Sequence, residues 1–253
     1  ITSPARKVSF DEMSFAFDYI RSRGHNPVYD ERLFDSCHQF AGDDDARAAL
    51  MQEYLDRDDI DVILCARGGY GTVRIIDKLN FDKFLKKTKW IAGYSDVTAL
   101  HAKLQSLGCE SPHSTLPTNF ADNTAASLDS LFDAIEGKTI TYQIPSSEIN
   151  ITGRAEAQLV GGNISVLYSL LGSDIFPDTE GKILFLEDLD EYLYHIDRMM
   201  TALQRAGKLD NIKGLIVALA SDHIVIDNNG IGYLVYVPNP YAFTRNKEAT
   251  VHI

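Results

Sequence analysis

Cysteine is scarce in this sequence. Its 253 residues hold three, Cys37, Cys65 and Cys109, widely spaced and with no C-x-x-C pair. An odd, scattered set argues against a disulfide scaffold or zinc knuckle and points to a reducing cytoplasm. Metal-type histidine spacing is missing too. None of His25, His38, His101, His113, His195, His223 and His252 belongs to an H-E-x-x-H pair, so no metal is expected. Neither G-x-G-x-x-G nor G-x-x-x-x-G-K-[ST] is present, which removes the usual phosphate fingerprints, and no cofactor is implied. No apolar run reaches the roughly 18–20 residues a membrane helix needs, and no charged-then-apolar leader is read at the start. Basic charge is in deficit: 24 Lys and Arg against 36 Asp and Glu give −12. Nucleic acid and anionic lipid would both be repelled, so neither is expected as a partner.

What is present is ordinary globular material. Hydrophobic residues make up 45% and charged residues 24%, enough for a core and too apolar for disorder. The length suits one large or two modest domains. The chain opens at Ile1 in what reads as a strand's tail, so residues are expected to precede it. Phe10, Met13, Phe17 and Ile20 recur at helical spacing up to Gly24. Asn26–Tyr29 reads as a short extended piece, and Asp43-Asp44-Asp45 as a helix start before Leu50 and Tyr54. Asp61–Ala66 and Trp90–Gly93 read as buried strands. Each is followed by a helix, the first with Val73, Ile76 and Leu79 on one face, the second with Val97, Leu100, Leu104 and Leu107. Strand–loop–helix repetition predicts a parallel sheet covered on both faces. The texture turns polar near 120–150, where a linker is placed over 126–150, between domains at 1–125 and 151–253. In the second half Lys182–Leu186 and Gly214–Leu219 read as strands. Leu189, Leu193, Ile196, Met200 and Leu203 mark a long amphipathic helix closed by Gly207.

Three constellations could carry chemistry. Gly93-Tyr94-Ser95-Asp96-Val97 places a hydroxyl where a strand becomes a helix, beside the helix's first free N–H groups, which could stabilise an oxyanion. Equally, Ser95 or Asp96 serves as an N-cap, and the second glycine of a G-x-S-x-G turn is missing. Arg67-Gly68-Gly69-Tyr70-Gly71 is either a substrate-lining loop or a tight strand–helix turn. Glu187 and Asp188, at a strand's end, either orient a histidine or sit in a helix's first turn. Among the histidines His101 and His195 read as packing or surface residues, and His223 is the best-placed candidate base.

Taken together, Ser3–Arg6, Ala66–Gly71, Gly93–Asp96, Leu159–Asn163, Leu184–Asp188 and Ile196–Met199 occur in an order that closely resembles the LD-carboxypeptidases. These are the serine peptidases that include murein tetrapeptide carboxypeptidases and microcin-C immunity proteins. The resemblance spans Ile1 to Val217. It implies a flavodoxin-like α/β N-terminal domain with a parallel sheet and a smaller, β-rich α/β C-terminal domain. It implies Ser95 as nucleophile, Glu187 as the acid that orients a histidine, and Gly69 and the Asp96 N–H as oxyanion donors. The implied reaction releases the terminal D-alanine of cytoplasmic muropeptides in wall recycling, by a protein that is often a homodimer. Arg67 and the glycine loop are candidates for holding the substrate's carboxylate. The family's Pro-x-Gly-His segment is not found in Val237–Phe243. Either residues are missing around 218–241, or the base has been lost, or His223 substitutes for it. A catalytically impaired muropeptide-binding homologue and a microcin-immunity-type peptidyl-nucleotide hydrolase are the alternatives.

Overall fold

Apolar residues alternate between two cores along the central strands of the first half. In the computed structural model, which describes residues 1–142, 150–151, 153–189 and 191–219 with the strand backbone of 234–236 and 249–252, β1 (Val62–Leu64) pairs in parallel with β2 (Trp90–Ala92). Parallel bridges Thr2↔Cys65 and Gly93↔His113 extend the array on both sides. Four extended segments therefore lie side by side in the order 1–3, 62–66, 90–93, 112–114. Ile63, Cys65 and Ile91 face one core, while Leu64, Ala66 and Ala92 face the other. This is the period-2 alternation of a sheet buried on both faces. Since all four segments run the same way, their carboxyl ends open on one rim, where α/β sheets place ligands.

Helices cover both faces, and their ends follow from sequence. Helix α1 (Phe10–Ser22) starts with a capping box between Ser9 and Glu12 and buries Met13, Phe17 and Ile20. Phe10 is half-exposed, leaning on Phe17 and Phe34. Helix α2 (Asp44–Asp56) is capped by Asp43 and buries Leu50, Met51, Tyr54 and Leu55. Helix α3 (Thr72–Ile75) is a single turn after the glycine loop, and α4 (Thr98–Ser106) follows β2. Residues 26–29 form no strand, since Pro27 has no N–H to donate. The span read as a linker begins differently from expectation. Thr124 caps α5 (Ala125–Ile135), whose Leu128, Leu131 and Phe132 pack with Met13, Phe17 and Phe120 in the core that Leu64, Ala66 and Ala92 face. The polar stretches on either side concealed an amphipathic helix there.

The second half carries β3 (Arg154–Ala157), β4 (Leu159–Asn163), α6 (Ile164–Ser169), β5 (Ile183–Asp188), α7 (Leu193–Arg205), β6 (Gly214–Leu219), β7 (Leu234–Tyr236) and β8 (Ala249–His252). Strands β4-β5-β6-β7 form a parallel sheet, and β3 pairs antiparallel with β8. Val160, Leu184, Leu186, Leu215 and Val217 face α6 and α7, while Phe185, Ile216 and Ala218 face the β3 side. Helix α7 buries Ile196, Met199 and Leu203. The expected stripe differs at Leu193, which is exposed because it lies about 120° around the axis from Met199. The two halves are locked together where α4 packs on β4 and α6, and where the Asn163 N–H donates to Thr98 Oγ1 at 3.0 Å. No helix among the described residues is long and apolar enough to cross a membrane.

Gly161 shows how tightly β4 and β5 approach. Its φ is +126°, and a Cβ there would collide with the Phe185 carbonyl. Gly161→Ala is expected to cost roughly 3 kcal/mol or more in chemical denaturation. Gly24→Ala, at φ +83° with open space around it, is expected to cost only about 1–2 kcal/mol.

Candidate active site at the sheet rim

The chain turns sharply at the carboxyl end of β2. Ser95 has φ +62°, a left-handed conformation that costs an L-residue about 1–2 kcal/mol. A short 3₁₀ turn, Ser95–Val97, then runs into α4. The turn is possible because two neighbours have no side chain. A Cβ at Gly93 would lie 2.9 Å from Val97 Cγ2, and one at Gly68 would lie 3.0 Å from Ser95 Cβ and 3.2 Å from its Oγ. Gly68, from the neighbouring loop, thus does the work of the second glycine absent from Gly93–Val97. Neither Ser95 nor Asp96 caps the helix they precede. The Ser95 side chain is left at the rim, half-buried, next to the first N–H groups of the turn.

Asp96 points the other way. Its carboxylate is buried and accepts the Thr72 N–H at 2.8 Å, tying the turn to the start of α3. Burial pushes its pKa up, against the Thr72 hydrogen bonds and the nearby Arg47 charge. Arg47, fully buried, donates to the carbonyls of Pro4 and Gly71, pairs with Asp44 and stacks on Phe40 at 4.9 Å. Three rim loops are therefore held by one guanidinium and one carboxylate.

A cleft of about 260 Å³ opens above Ser95, lined by Arg6, Glu12, Arg67, Gly69 and Tyr94 among others. Gly69 stands at φ +105° with the Arg6 stem across it. Arg67 Nη1 donates to Glu12 Oε1 at 2.8 Å. The Ser9 N–H hydrogen bond, before the Arg67 charge, lowers the Glu12 pKa. A larger hollow of about 490 Å³ lies at the opposite, amino end of the strands, by Asp61, Lys89 and Glu110. It presents no strained nucleophile, and Lys89 Nζ there is engaged by the carbonyls of Tyr54 and Leu55 at 3.1 and 3.0 Å.

Glu187 sits near the end of β5, fully buried, opposite Asn163 of β4 and Ala218 of β6. Its Oε2 accepts Asn163 Nδ2 at 3.3 Å and lies 4.0 Å from His113 Nε2. Burial, with the Asp188 charge beside it, raises its pKa to about 8, and the Asn163 hydrogen bond opposes the rise. Its Oε1 accepts no hydrogen bond among the described residues. The adjacent Asp188 is fully occupied by comparison. It accepts Ser165 N–H at 3.2 Å, Ser165 Oγ–H at 2.7 Å, Leu189 N–H at 2.8 Å and Asn163 Nδ2 at 3.1 Å. Asp188 therefore serves the first turn of α6, and of the two, Glu187 is the one that keeps an acceptor open among the described residues.

The structure gathers Ser95, Arg67 and Gly69 into one cleft. Glu187 reaches that region from the second half: the end of β4 packs against the Ser95–Val97 turn, and Glu187 approaches His113, which is bridged to Gly93. His113 was not singled out by sequence, because its place beside β2 is a matter of strand packing. His101 is a buried strut, donating from Nε2 to the Gly93 carbonyl at 2.8 Å and accepting Ser111 Oγ–H at Nδ1 at 2.7 Å. His195 pairs with Glu191 on the surface of α7. His223 lies outside the described residues.

Two variants test these supports. Asp96→Ala leaves the buried Thr72 N–H unpaired and is expected to cost about 1–3 kcal/mol in urea denaturation. For Glu187 the pH dependence has a definite sign. The folded chain keeps a proton up to about pH 8 that the unfolded chain gives up near its ordinary value of 4.5. Stability is therefore lost as pH rises through that window. Asn163→Ala removes the donor that favours the ionised carboxyls. It also removes the Val166 cap, for about 1 kcal/mol at any pH. Its destabilisation, read as a Tm difference from wild type, is expected to grow steadily from pH 5 to pH 8.

Comparison with known proteins identifies the relatives of this arrangement. Residues 1–114 match the LD-carboxypeptidase N-terminal domain and residues 156–231 the LD-carboxypeptidase C-terminal domain. A probable murein peptide carboxypeptidase of Bacillus subtilis is 35% identical over 224 residues, covering 86% of this chain and 70% of that protein. The microcin C7 self-immunity protein MccF of Escherichia coli is 22% identical over 250 residues, covering 85% and 72%. The crystal structure of muramoyltetrapeptide carboxypeptidase from Oxalobacter formigenes shares the fold at a TM-score of 0.86 and 24% identity, covering 100% of this chain and 94% of that one. MccF in complex with glutamyl sulfamoyl guanosine does so at 0.84 and 17%, covering 100% and 90%. The two-domain α/β expectation agrees with these neighbours. With both halves matched in order and 35% identity to the Bacillus subtilis protein over 224 residues, the chain belongs to the LD-carboxypeptidase family of peptidases, S66.

Proposed function

We propose that the protein is a serine LD-carboxypeptidase that removes the terminal D-alanine from muropeptide tetrapeptides. The observation that carries this reading is Ser95, strained at φ +62° on a strand-to-helix turn at the floor of a polar cleft. Ser95 Oγ attacks the carbonyl carbon of the last peptide bond while an imidazole takes its proton. The oxyanion is held by the N–H groups of Asp96 and Gly69. The imidazolium returns the proton to the departing amine, D-alanine leaves, and water releases the acyl group by the same steps. Glu187 orients that imidazole: its buried, open Oε1 is the acceptor for a ring N–H. Such a donor would draw Glu187 back toward the ionised form that burial disfavours. His223 is the imidazole that the second half of the sequence offers for this place.

Cytoplasmic wall recycling is the setting this reading assigns, supported by three cysteines that are all unpaired. A homodimer belongs to the proposal through the family resemblance, and light scattering on the purified protein tests it. Peptidyl-nucleotide hydrolysis is the second reading, supported by likeness to MccF. An indole platform for a base is not provided by Trp90, which begins β2 at the end away from Ser95.

D-alanine release from a muramoyl tetrapeptide, measured by coupled assay, is the test. Ser95→Ala is expected to reduce kcat/KM by about 10³-fold or more, and a fluorophosphonate probe is expected to label the wild type at Ser95 only. Undiminished turnover in Ser95→Ala would sink the assignment. Preferential cleavage of an aminoacyl sulfamoyl nucleoside would favour the second reading.

A further inference from the structure

The cleft above Ser95 is lined by two arginines and one glutamate, and among the described residues only one of the guanidinium groups is matched. Arg67 is paired with Glu12 at 2.8 Å. Glu12 is in turn fixed by the Ser9 N–H and Oγ–H at 2.8 and 2.9 Å, as part of the α1 capping box. Arg67 and Glu12 therefore neutralise each other within the protein. Arg6 is the remaining charge. It is exposed, and its guanidinium makes no hydrogen bond or ion pair among the described residues.

Arg6 is nonetheless held in place. Its carbonyl accepts Ser3 Oγ–H, and its N–H donates to the Gly68 carbonyl at 3.4 Å. Its aliphatic stem lies flat over Gly69, so closely that a Cβ at Gly69 would collide with Arg6 Cγ and Cδ. Gly69 thus gives the stem a groove, and Gly68, between the two, lies against Ser95. A guanidinium whose stem is seated beside a nucleophile and which has no partner among the described residues is a receptor for an anion, and a planar fork suits a carboxylate. A peptide cleaved at its last bond brings such a group, because the leaving residue carries the free α-carboxylate one carbon from the scissile nitrogen.

Building on the carboxypeptidase reading, we propose that Arg6, and not Arg67, binds the terminal α-carboxylate of the substrate and restricts Ser95 to the last peptide bond. Arg67 and Glu12 then form the neutral wall beside it. Gly69 has two duties in this arrangement: its N–H faces the reaction, and its missing side chain seats Arg6.

The experiment compares a muramoyl tetrapeptide with its C-terminal amide. Wild type is expected to prefer the free acid. Arg6→Ala is expected to lower kcat/KM for the acid by about 10- to 100-fold while leaving the amide unchanged, with Arg6→Lys in between and Arg67→Ala retaining the preference. Calorimetry in a Ser95→Ala background supplies a readout that needs no turnover. There the acid is expected to bind more tightly than the amide, and adding Arg6→Ala is expected to abolish the difference. Fluorophosphonate labelling of Ser95 reports separately on the nucleophile, so loss of labelling with the binding preference intact would overturn the catalytic reading and leave Arg6 standing. An acid preference that survives Arg6→Ala, equal losses on acid and amide, or no acid preference in the binding arm would overturn the role of Arg6.

Discussion

A serine in left-handed backbone conformation is tolerated only where its surroundings outweigh the strain, and much of the first domain is arranged to do so. β2 delivers the chain to the rim, Gly93 and Gly68 clear the space that the turn occupies, and His101 fastens the Gly93 carbonyl from below. Asp96 then anchors the turn's far side to α3, and Arg47 ties the Pro4 and Gly71 carbonyls to the same body. Removing Asp96 or Arg47 leaves buried backbone groups unmatched, which explains why these polar side chains sit in an otherwise apolar interior.

The second domain solves a different electrostatic problem. Two adjacent carboxyl groups, Glu187 and Asp188, are buried at the end of β5, where like charges at close range resist simultaneous ionisation. The structure resolves this by unequal hydrogen bonding: among the described residues four donors reach Asp188, and one reaches Glu187. A carboxyl kept short of donors retains the capacity to hold another group, and the register of β4 with β5 sets Asn163 as the donor they share.

The domains meet through short, specific contacts rather than a loose hinge. Thr98, one turn beyond Ser95, accepts the Asn163 N–H, and His113, beside Gly93, stands 4.0 Å from Glu187. Displacement of either side chain pair would be felt at both the turn and the acid, so the relative placement of the two halves is part of the site's geometry.

Local spacing made much of this legible. Short uninterrupted apolar runs marked β1, β2, β5 and β6, the Asp43 run announced α2, and the Gly–Tyr–Ser–Asp turn pointed to residue 95, because such signals are local to the chain. Helix α5 escaped because the small polar residues before it and the Ser/Thr-rich run after it set the texture of the segment, although Leu128, Leu131, Phe132 and Ala134 form a buried stripe within it. Other features arose only in three dimensions: the glycine that replaces a missing motif position comes from residue 68 and His113 lies beside an acid 74 residues away in the chain, and among the described residues Glu187 keeps an open acceptor while Asp188 is hydrogen-bonded, and Arg6 is unmatched while Arg67 is paired. Each of these depends on which distant group becomes a neighbour, and that is decided by packing and hydrogen-bond competition in the folded interior, not by the order of residues along the chain.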